Sequence, residues 1–327
     1  MRHLTIKLLV TVMVLTLIGL PAMAADFTIK AGHGAQTGHP THFGLVQLAK
    51  IVQERSNGKL EIKVFPDRQL GEEREMVEGL QFGTVDMTVV STGPLGGFVG
   101  EINVLDLPFL FKNRSHAYSV FDGPIGSELL AKFDPIGIKA VAIWENGWRH
   151  LTTKKPITSP ADLKGLKMRT MANQIHMAAF KALGAGPVPM AWGEVYTSLD
   201  QGVIEAQENP ITVIYTNSLW EVQNYVTLTG HVYGPHLVLI SQKSLAKLPE
   251  DLQQILISAA METSSYQRQV GIELEAEQSL LLEQKGMKIN TVDLEPFRKQ
   301  SRSSYKLFTD KFGDAMLMRI TTAGGRN

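Results

Sequence analysis

Residues 27–65 read FTIKAGHGAQTGHPTHFGLVQLAKIVQERSNGKLEIKVF, and their pattern sets the fold class. Phe27–Ala31 is a short first strand. Between Thr41 and Arg55 the apolar residues Leu45, Leu48, Ala49 and Val52 fall at i, i+3, i+4 and i+7, which lines one face of a helix. Asn57-Gly58 stops that helix. Leu60, Ile62 and Val64 then alternate as a second strand. Strand, helix and strand in succession predict an α/β protein, with helices packed around a sheet.

The same wiring continues downstream. A helix is expected from about Glu72 to Phe82, a strand through Met87–Val90, more helix in Ser115–Phe133, and a strand over Ile138–Trp144. A second unit begins near Gly147. There Ser159-Pro160-Ala161-Asp162 is a helix start, with Ser as cap, Pro in the first turn and Asp at the capping-box position. Lys167–Thr170 and Val203–Gln207 read as strands, Gln174–Leu183 and Ile211–Val222 as helices. Tyr225–Thr229 and Leu237–Ser241 are strands carrying the chain between the two units. Pro249–Gln284 is almost continuously helix-forming, interrupted only at Gly271. At about 1.5 Å per residue such a helix spans on the order of 50 Å, so it is expected to run along both units. Met287–Val292 and a helix from Leu294 close the chain.

The first residues read as a targeting leader. Arg2 and Lys7 precede an uncharged run, Leu8–Leu20, and Pro21 is followed by Ala22-Met23-Ala24. This pattern predicts a cleavable signal peptide over residues 1–24, with cleavage after Ala24 and an exported, periplasmic protein. The run of 13 residues is short for a membrane span of roughly 20. No direct membrane insertion is therefore expected after cleavage. The remaining length suits two domains. There is no cysteine, which excludes disulfides and thiolate chemistry. Basic and acidic residues are equal in number, 32 each. Such a balance gives no whole-surface attraction to nucleic acid or anionic lipid. Selectivity for a charged ligand must come from a few placed residues.

Several constellations bear on chemistry. Gly32-His33-Gly34-Ala35-Gln36-Thr37-Gly38 brushes a dinucleotide fingerprint, but its third glycine comes one residue late and no acid follows at the ribose distance. It reads instead as a glycine-rich loop offering backbone N–H groups beside a cleft. His33, His39 and His42, near Glu72 and Glu73, suggest a metal only by composition. No pair has the i, i+4 helical spacing of a ligand set, so loop histidines in hydrogen bonds are expected, with no metal and no cofactor. There is no Gly-x-Ser-x-Gly elbow, and Ser91-Thr92 reads as a strand end with hydroxyls toward a ligand. Arg149 and Arg169 both fall where a strand hands over to a loop, the edge at which α/β sheets form ligand crevices. A guanidinium is a planar fork suited to a carboxylate. Asn209 stands at a third such end, and Pro210 begins a helix whose N-terminus favours an anion. Trp192, on a connector, suits a pocket wall.

Four stretches together carry a family resemblance. They are Val64-Phe65-Pro66-Asp67-Arg68-Gln69-Leu70-Gly71, Leu105-Asp106-Leu107-Pro108-Phe109-Leu110-Phe111, Leu163-Lys164-Gly165-Leu166-Lys167-Met168-Arg169, and Trp192 through Pro210. Over residues 25 to about 315 the chain resembles the substrate-binding subunits of tripartite ATP-independent periplasmic (TRAP) transporters, of the dicarboxylate-binding type. The resemblance implies a two-lobed periplasmic-binding-protein fold with a hinge, a ligand cleft between the lobes and a long helix shared by both. Residues 25–147 with about 235–275 would form one lobe, and 148–234 with about 276–327 the other. It implies that Arg169 pairs with a substrate carboxylate, supported by Arg149 and Asn209, and that Trp192 packs on the ligand. Many relatives carry phenylalanine or a smaller residue where Trp192 stands. Glu73, Ser91 and Thr92 would face them from the other lobe, with His33 and Gly34 on the first-strand loop and Tyr233 and His236 on a later cleft-lining segment. The implied partners are a small organic acid and the small and large membrane subunits of an ion-gradient-driven transporter. C4-dicarboxylates and uronate-like sugar acids both stay open as ligands, with Arg74 as the candidate second cation for a dicarboxylate. An exported hydrolase or lyase acting on an organic acid, and a sensor-associated binding subunit, are the competing readings.

Overall fold

The computed structural model describes residues 25–323, so the leader and its cleavage point lie outside the described residues. Among the described residues there are nine strands: β1 (Phe27–His33), β2 (Leu60–Phe65), β3 (Met87–Ser91), β4 (Ile138–Thr153), β5 (Lys167–Thr170), β6 (Gly186–Pro189), β7 (Ala206–Asn209), β8 (Tyr225–Ser241) and β9 (Lys288–Asn290). They form one mixed sheet in the order β2-β1-β3-β8-β4-β7-β5-β6, with β9 pairing the start of β8. The opening strand–helix–strand unit is as its pattern requires. β1 and β2 pair in parallel, Phe27 opposite Leu60, and are joined by α1 (Pro40–Arg55). Asn57 and Gly58 adopt positive φ just past its end.

The two-lobed division comes from β4 and β8. At 16 and 17 residues they are roughly three times the usual strand length. One end of the antiparallel pair, Ile138–Trp144 with His236–Ser241, lies beside β3 in the first lobe. The other end meets β7 and β9 in the second lobe. Three register shifts interrupt the pair, between Ala140 and Ala142, Glu145 and Gly147, and Arg149 and Leu151. Extra residues of this kind bend and twist a ribbon locally. Gly147 supplies one of them with a φ of +118° that a side chain would strain.

These bulges correct the sequence reading. The pattern around Glu145-Asn146-Gly147 looks like the end of a strand, yet the strand bends there and continues to Thr153. Arg149 is thus inside β4, not at a strand end. Likewise Tyr225–Thr229 and Leu237–Ser241 are two halves of β8. The Ser115–Phe133 region is two helices, Arg114–Phe121 and Pro124–Ala131, parted at Gly123. Gly271 does not interrupt the long helix, which runs unbroken over the 35 residues Glu250–Gln284.

Each lobe has its own core on both faces of its part of the sheet. In the first lobe Leu45, Leu48 and Val52 of α1 pack with Ile29, Leu60 and Ile62 on one face. On the other face Met76, Val77 and Leu80 of α2 (Glu73–Phe82) pack with Val90, Leu237 and Leu239. In the second lobe Leu163, Met168 and Phe180 form one core, and Val195, Leu199 and Ile214 another. The long helix serves both lobes: Leu252, Leu256 and Ala259 belong to a first-lobe core and Leu282 to a second-lobe core. Phe308 and Ile320 share a core with mostly first-lobe side chains and with Ile175, and the C-terminal helix Tyr305–Phe312 lies against both Gly100–Asp106 and Gln174–Ala182.

Leu256 is fully buried under the long helix, whereas Leu280 on the same helix is 61% exposed. Leu256→Ala is expected to lower stability by about 2–5 kcal/mol, the usual range for emptying a core leucine site. Leu280→Ala should change it by less than about 0.5 kcal/mol. Urea unfolding of the two variants side by side checks the difference.

Candidate functional site

The cleft between the lobes holds about 560 Å³ of atom-free space, part of it open to solvent. Its walls come from the ends and bends of the strands. β1 delivers His33, β3 delivers Ser91, β5 delivers Arg169, β7 delivers Asn209, and the bend of β8 delivers His236. Glu73 opens α2, and Trp192 stands on the connector after β6. Seven of the ten site residues expected from sequence therefore line one cavity.

Arg169 is its central charge. The side chain is 3% exposed. Its Nε and Nη2 donate to the carbonyl oxygen of Met190 at 3.1 and 2.9 Å, which fixes the plane of the fork. Nη1 has no hydrogen-bond partner among the described residues, and no carboxylate there forms an ion pair with it. The Trp192 ring lies 5.4 Å from the guanidinium carbon and donates its indole N–H to Asn217 at 3.3 Å. Burial pushes Arg169 down to about 10, against the pull of Glu208, Glu73 and Glu72, so it keeps its charge at neutral pH. A buried guanidinium with a free edge is costly unless an anion meets it.

Asn209 is aimed by its neighbours. Its Oδ1 accepts from Arg149 Nη2 at 2.9 Å, and its Nδ2 donates one hydrogen to Gln207 at 2.6 Å, leaving the second for the cavity. Arg149 itself does not line the cavity. Its fork is spent on Glu208, with Nη2 to Oε1 at 2.8 Å and to the Glu208 carbonyl at 2.7 Å, and both side chains are buried. The expectation that Arg149 touches the ligand is corrected accordingly. A buried carboxylate claims the guanidinium, and Arg149 acts on the site through Asn209.

Thr92 and Tyr233 also fall outside the cavity. Thr92 Oγ1 donates to Asp106 at 2.7 Å, and Asn173 of the second lobe donates to the same carboxylate at 3.1 Å. Thr92 thus belongs to a contact between lobes. Tyr233 is packed among Trp148, Phe111 and Phe121, with ring centroids 4.8–6.0 Å apart. Its aromatic body is core. Arg74 is paired with Glu78 at 3.0 Å on the surface and offers the cleft no second cation.

The histidines are hydrogen-bonded, as loop histidines should be, but they form the wall in an ordered way. His39 caps α1, its Nδ1 accepting from the Thr41 N–H at 3.2 Å and its Nε2 meeting Thr212 at 3.2 Å. His33 and His42 face each other at 3.1 Å. Ser91 gives both its N–H and its hydroxyl to Glu73 Oε1, at 2.8 and 2.9 Å. The Ser91 oxygen is then left to accept from His236 Nε2 at 3.2 Å, so His236 Nδ1 must accept from the Thr41 hydroxyl at 2.9 Å. Burial drives His33 down to about 3, His39 to about 4 and His236 well below the usual histidine range. Burial also raises Glu73, opposed by the two Ser91 bonds and the Arg169 charge. Among the described residues no group of three or more histidines and carboxylates is arranged to hold a metal ion.

Thr41, Val89, Asn146, Met171, Val213 and Asn217 also line the cavity, and none was expected there from sequence. Asn146 carried a signal, since it directly precedes the glycine of a bulge. Gly32 has a packing reason instead of a phosphate-binding one: a Cβ there would lie 2.7 Å from the Met76 sulfur. Across the mouth, Gly193 N donates to Glu72 Oε1 at 3.1 Å and joins the two lobes.

Two lobes linked by long bent strands, closing over a buried guanidinium with a free edge, define a solute-binding protein of the periplasmic two-lobed class. A family model described as bacterial extracellular solute-binding protein, family 7, matches residues 31–311, and the chain belongs to that family. The chain is 40% identical to the 2,3-diketo-L-gulonate-binding periplasmic protein of Escherichia coli K12, over 74% of each chain. It is 32% identical to the C4-dicarboxylate-binding periplasmic protein of Rhodobacter capsulatus, over 93% of this chain and 90% of that one. A crystal structure of a TRAP periplasmic solute-binding protein from Polaromonas sp. JS666, bound to D-erythronate, superposes with a TM-score of 0.89 at 37% identity, covering 92% of this chain and all of the other. No described helix is long and apolar enough to cross a membrane.

The buried neutral histidines carry a pH dependence. His33 and His39 have folded-state values below the unfolded value of about 6.5, so the unfolded chain takes up their protons first as pH falls. Their contribution to stability is complete above about pH 6.5 and declines from there to about pH 4 for His39 and about pH 3 for His33, by up to about 1.4 kcal/mol per pH unit for each histidine. His39→Asn, which keeps a helix-capping acceptor, should flatten the decline of the urea midpoint over that window. An unchanged slope counts against His39 as a source.

Proposed function

We propose that this chain is an exported solute-binding subunit that captures a small organic acid between its lobes by the acid's carboxylate and delivers it to TRAP membrane subunits. The observation that carries the reading is the Arg169 guanidinium. It is buried, held flat by the Met190 carbonyl, and has a free Nη1, and Asn209, whose amide keeps a second hydrogen, lines the same cavity. A carboxylate there accepts from both. Trp192 packs alongside and keeps water from the pair, which strengthens it. The relatives whose names or structures carry an organic acid support the same chemistry.

Closure is a hinge motion about the bulged stretch of β4 and β8, favoured by contacts that exist only when the lobes meet. We take residues 25–147, 235–275 and 305–323 as the first lobe and 148–234 with 276–304 as the second. We also read residues 1–24 as a signal peptide that sends the chain to the periplasm. The role is binding and release, with the acid returned unchanged.

Arg169→Ala should cost about 2–5 kcal/mol of ligand affinity, the usual loss when one partner of a buried charge pair is removed. Isothermal titration of the wild-type protein and the variant against an acid it binds is the check. Near-native affinity in the variant would sink the carboxylate role. Mass spectrometry of ligand recovered after denaturation, found chemically altered, would favour a catalyst.

A further inference from the structure

We infer that the acid captured here carries a single carboxylate and hydroxyl groups on its remainder, and that Glu73 excludes a second carboxylate. The inference rests on the carboxylate reading above and concerns the other end of the same ligand. Among the described residues Arg169 is the one arginine or lysine that lines the cavity, while Glu72 and Glu73 both line it. The histidines of the wall are neutral and supply no compensating charge. A ligand whose first carboxylate sits on Arg169 would bring a second toward Glu73, which has no arginine or lysine ion-pair partner among the described residues, whereas Glu72 is matched by Arg68 at 3.6 Å. Like charges meeting in a closed cleft are strongly disfavoured, which is how binding sites reject a competitor.

Counting hydrogen-bond capacity points to the replacement group. The imidazoles of His33, His39 and His236 have both nitrogens engaged within the protein, so they shape the wall and leave no site for a ligand. Glu73 is different. Ser91 holds its Oε1 twice, and its Oε2 has no partner among the described residues. It is an acceptor on the cavity wall, and an acceptor left unmatched in a dry site is a penalty. A hydroxyl hydrogen satisfies it; a methylene group or a carboxylate does not. The cleft therefore asks for an anion at Arg169 and a donor at Glu73. A hydroxylated monocarboxylic acid provides both.

Three four-carbon acids separate the possibilities in a calorimetric titration of the whole chain. Erythronate has one carboxylate and three hydroxyls, succinate has two carboxylates, and butyrate has one carboxylate and no hydroxyl. Erythronate is expected to bind about 100-fold or more tightly than either of the others. Glu73→Gln keeps an oxygen for Ser91 and removes the charge. It should weaken erythronate and strengthen succinate, so that their affinity ratio falls about tenfold or more. A purely structural effect of the substitution would weaken both acids alike and leave the ratio in place, which overturns the inference. Succinate or butyrate matching erythronate on the wild-type protein, with binding still lost in Arg169→Ala, overturns it too while the carboxylate reading survives. Binding that does not depend on Arg169 brings down both.

Discussion

The ion pair between Arg149 and Glu208 joins β4 to β7 with both side chains buried. Burial alone would push the Glu208 carboxyl up, but the guanidinium and His231 overcome that and hold it well below the usual carboxylate range. Breaking such a pair by removing one member leaves an uncompensated charge, at a cost of about 3–5 kcal/mol. The pair also does geometric work. Arg149 reaches past the carboxylate to Asn209 and turns its amide toward the cleft. With Glu208 already matched, Arg169 has no ion pair among the described residues. One pair buried behind the wall thus keeps the cation on the wall available.

Much of the architecture is legible in local pattern. Leu45, Leu48 and Val52 at helical spacing, Ile62 alternating within β2, and the Ser159–Asp162 capping pair all agree with the structure, down to the Asp162 oxygen accepting the Ser159 N–H at 2.9 Å. Misreadings collect at β4 and β8. Glycine in a strand pattern signals either an end or a bulge, and only pairing with a partner strand decides which. Gly147 and Gly230 were each open to the first reading, and the sheet imposes the second. Tertiary contact also places the C-terminal helix Tyr305–Phe312, which lies against both lobes.

The site was readable residue by residue but not in its wiring. Arg169, Asn209 and Trp192 stand where strands or connectors reach a crevice, a position that sequence spacing can suggest. That Arg149 serves a carboxylate could not be read from Arg149. The partner, Glu208, sits beside Asn209 in the sequence, but the strand reads Ala206-Gln207-Glu208-Asn209, too polar for local pattern to show that Glu208 is buried and must be answered by a cation. The histidines were visible as a group, yet their roles as a cap, a facing pair and a link from Thr41 to Ser91 depend on contacts between α1, β3 and β8 that no local pattern encodes. Tyr233 looked polar enough for a cleft, but its ring is buried against Trp148.

The bridge from Gly193 to Glu72 and the tie from Asn173 to Asp106 fasten the lobes on either side of Arg169. Both fastenings are made by uncharged donors to carboxylates and touch no ligand group themselves. The guanidinium between them supplies the veto: shutting the lobes with nothing negative inside would strand a bare cation in a dry space. Cargo is therefore written into the outline of the molecule. A membrane partner able to feel only the distance between the two lobes would still tell a loaded carrier from an unloaded one.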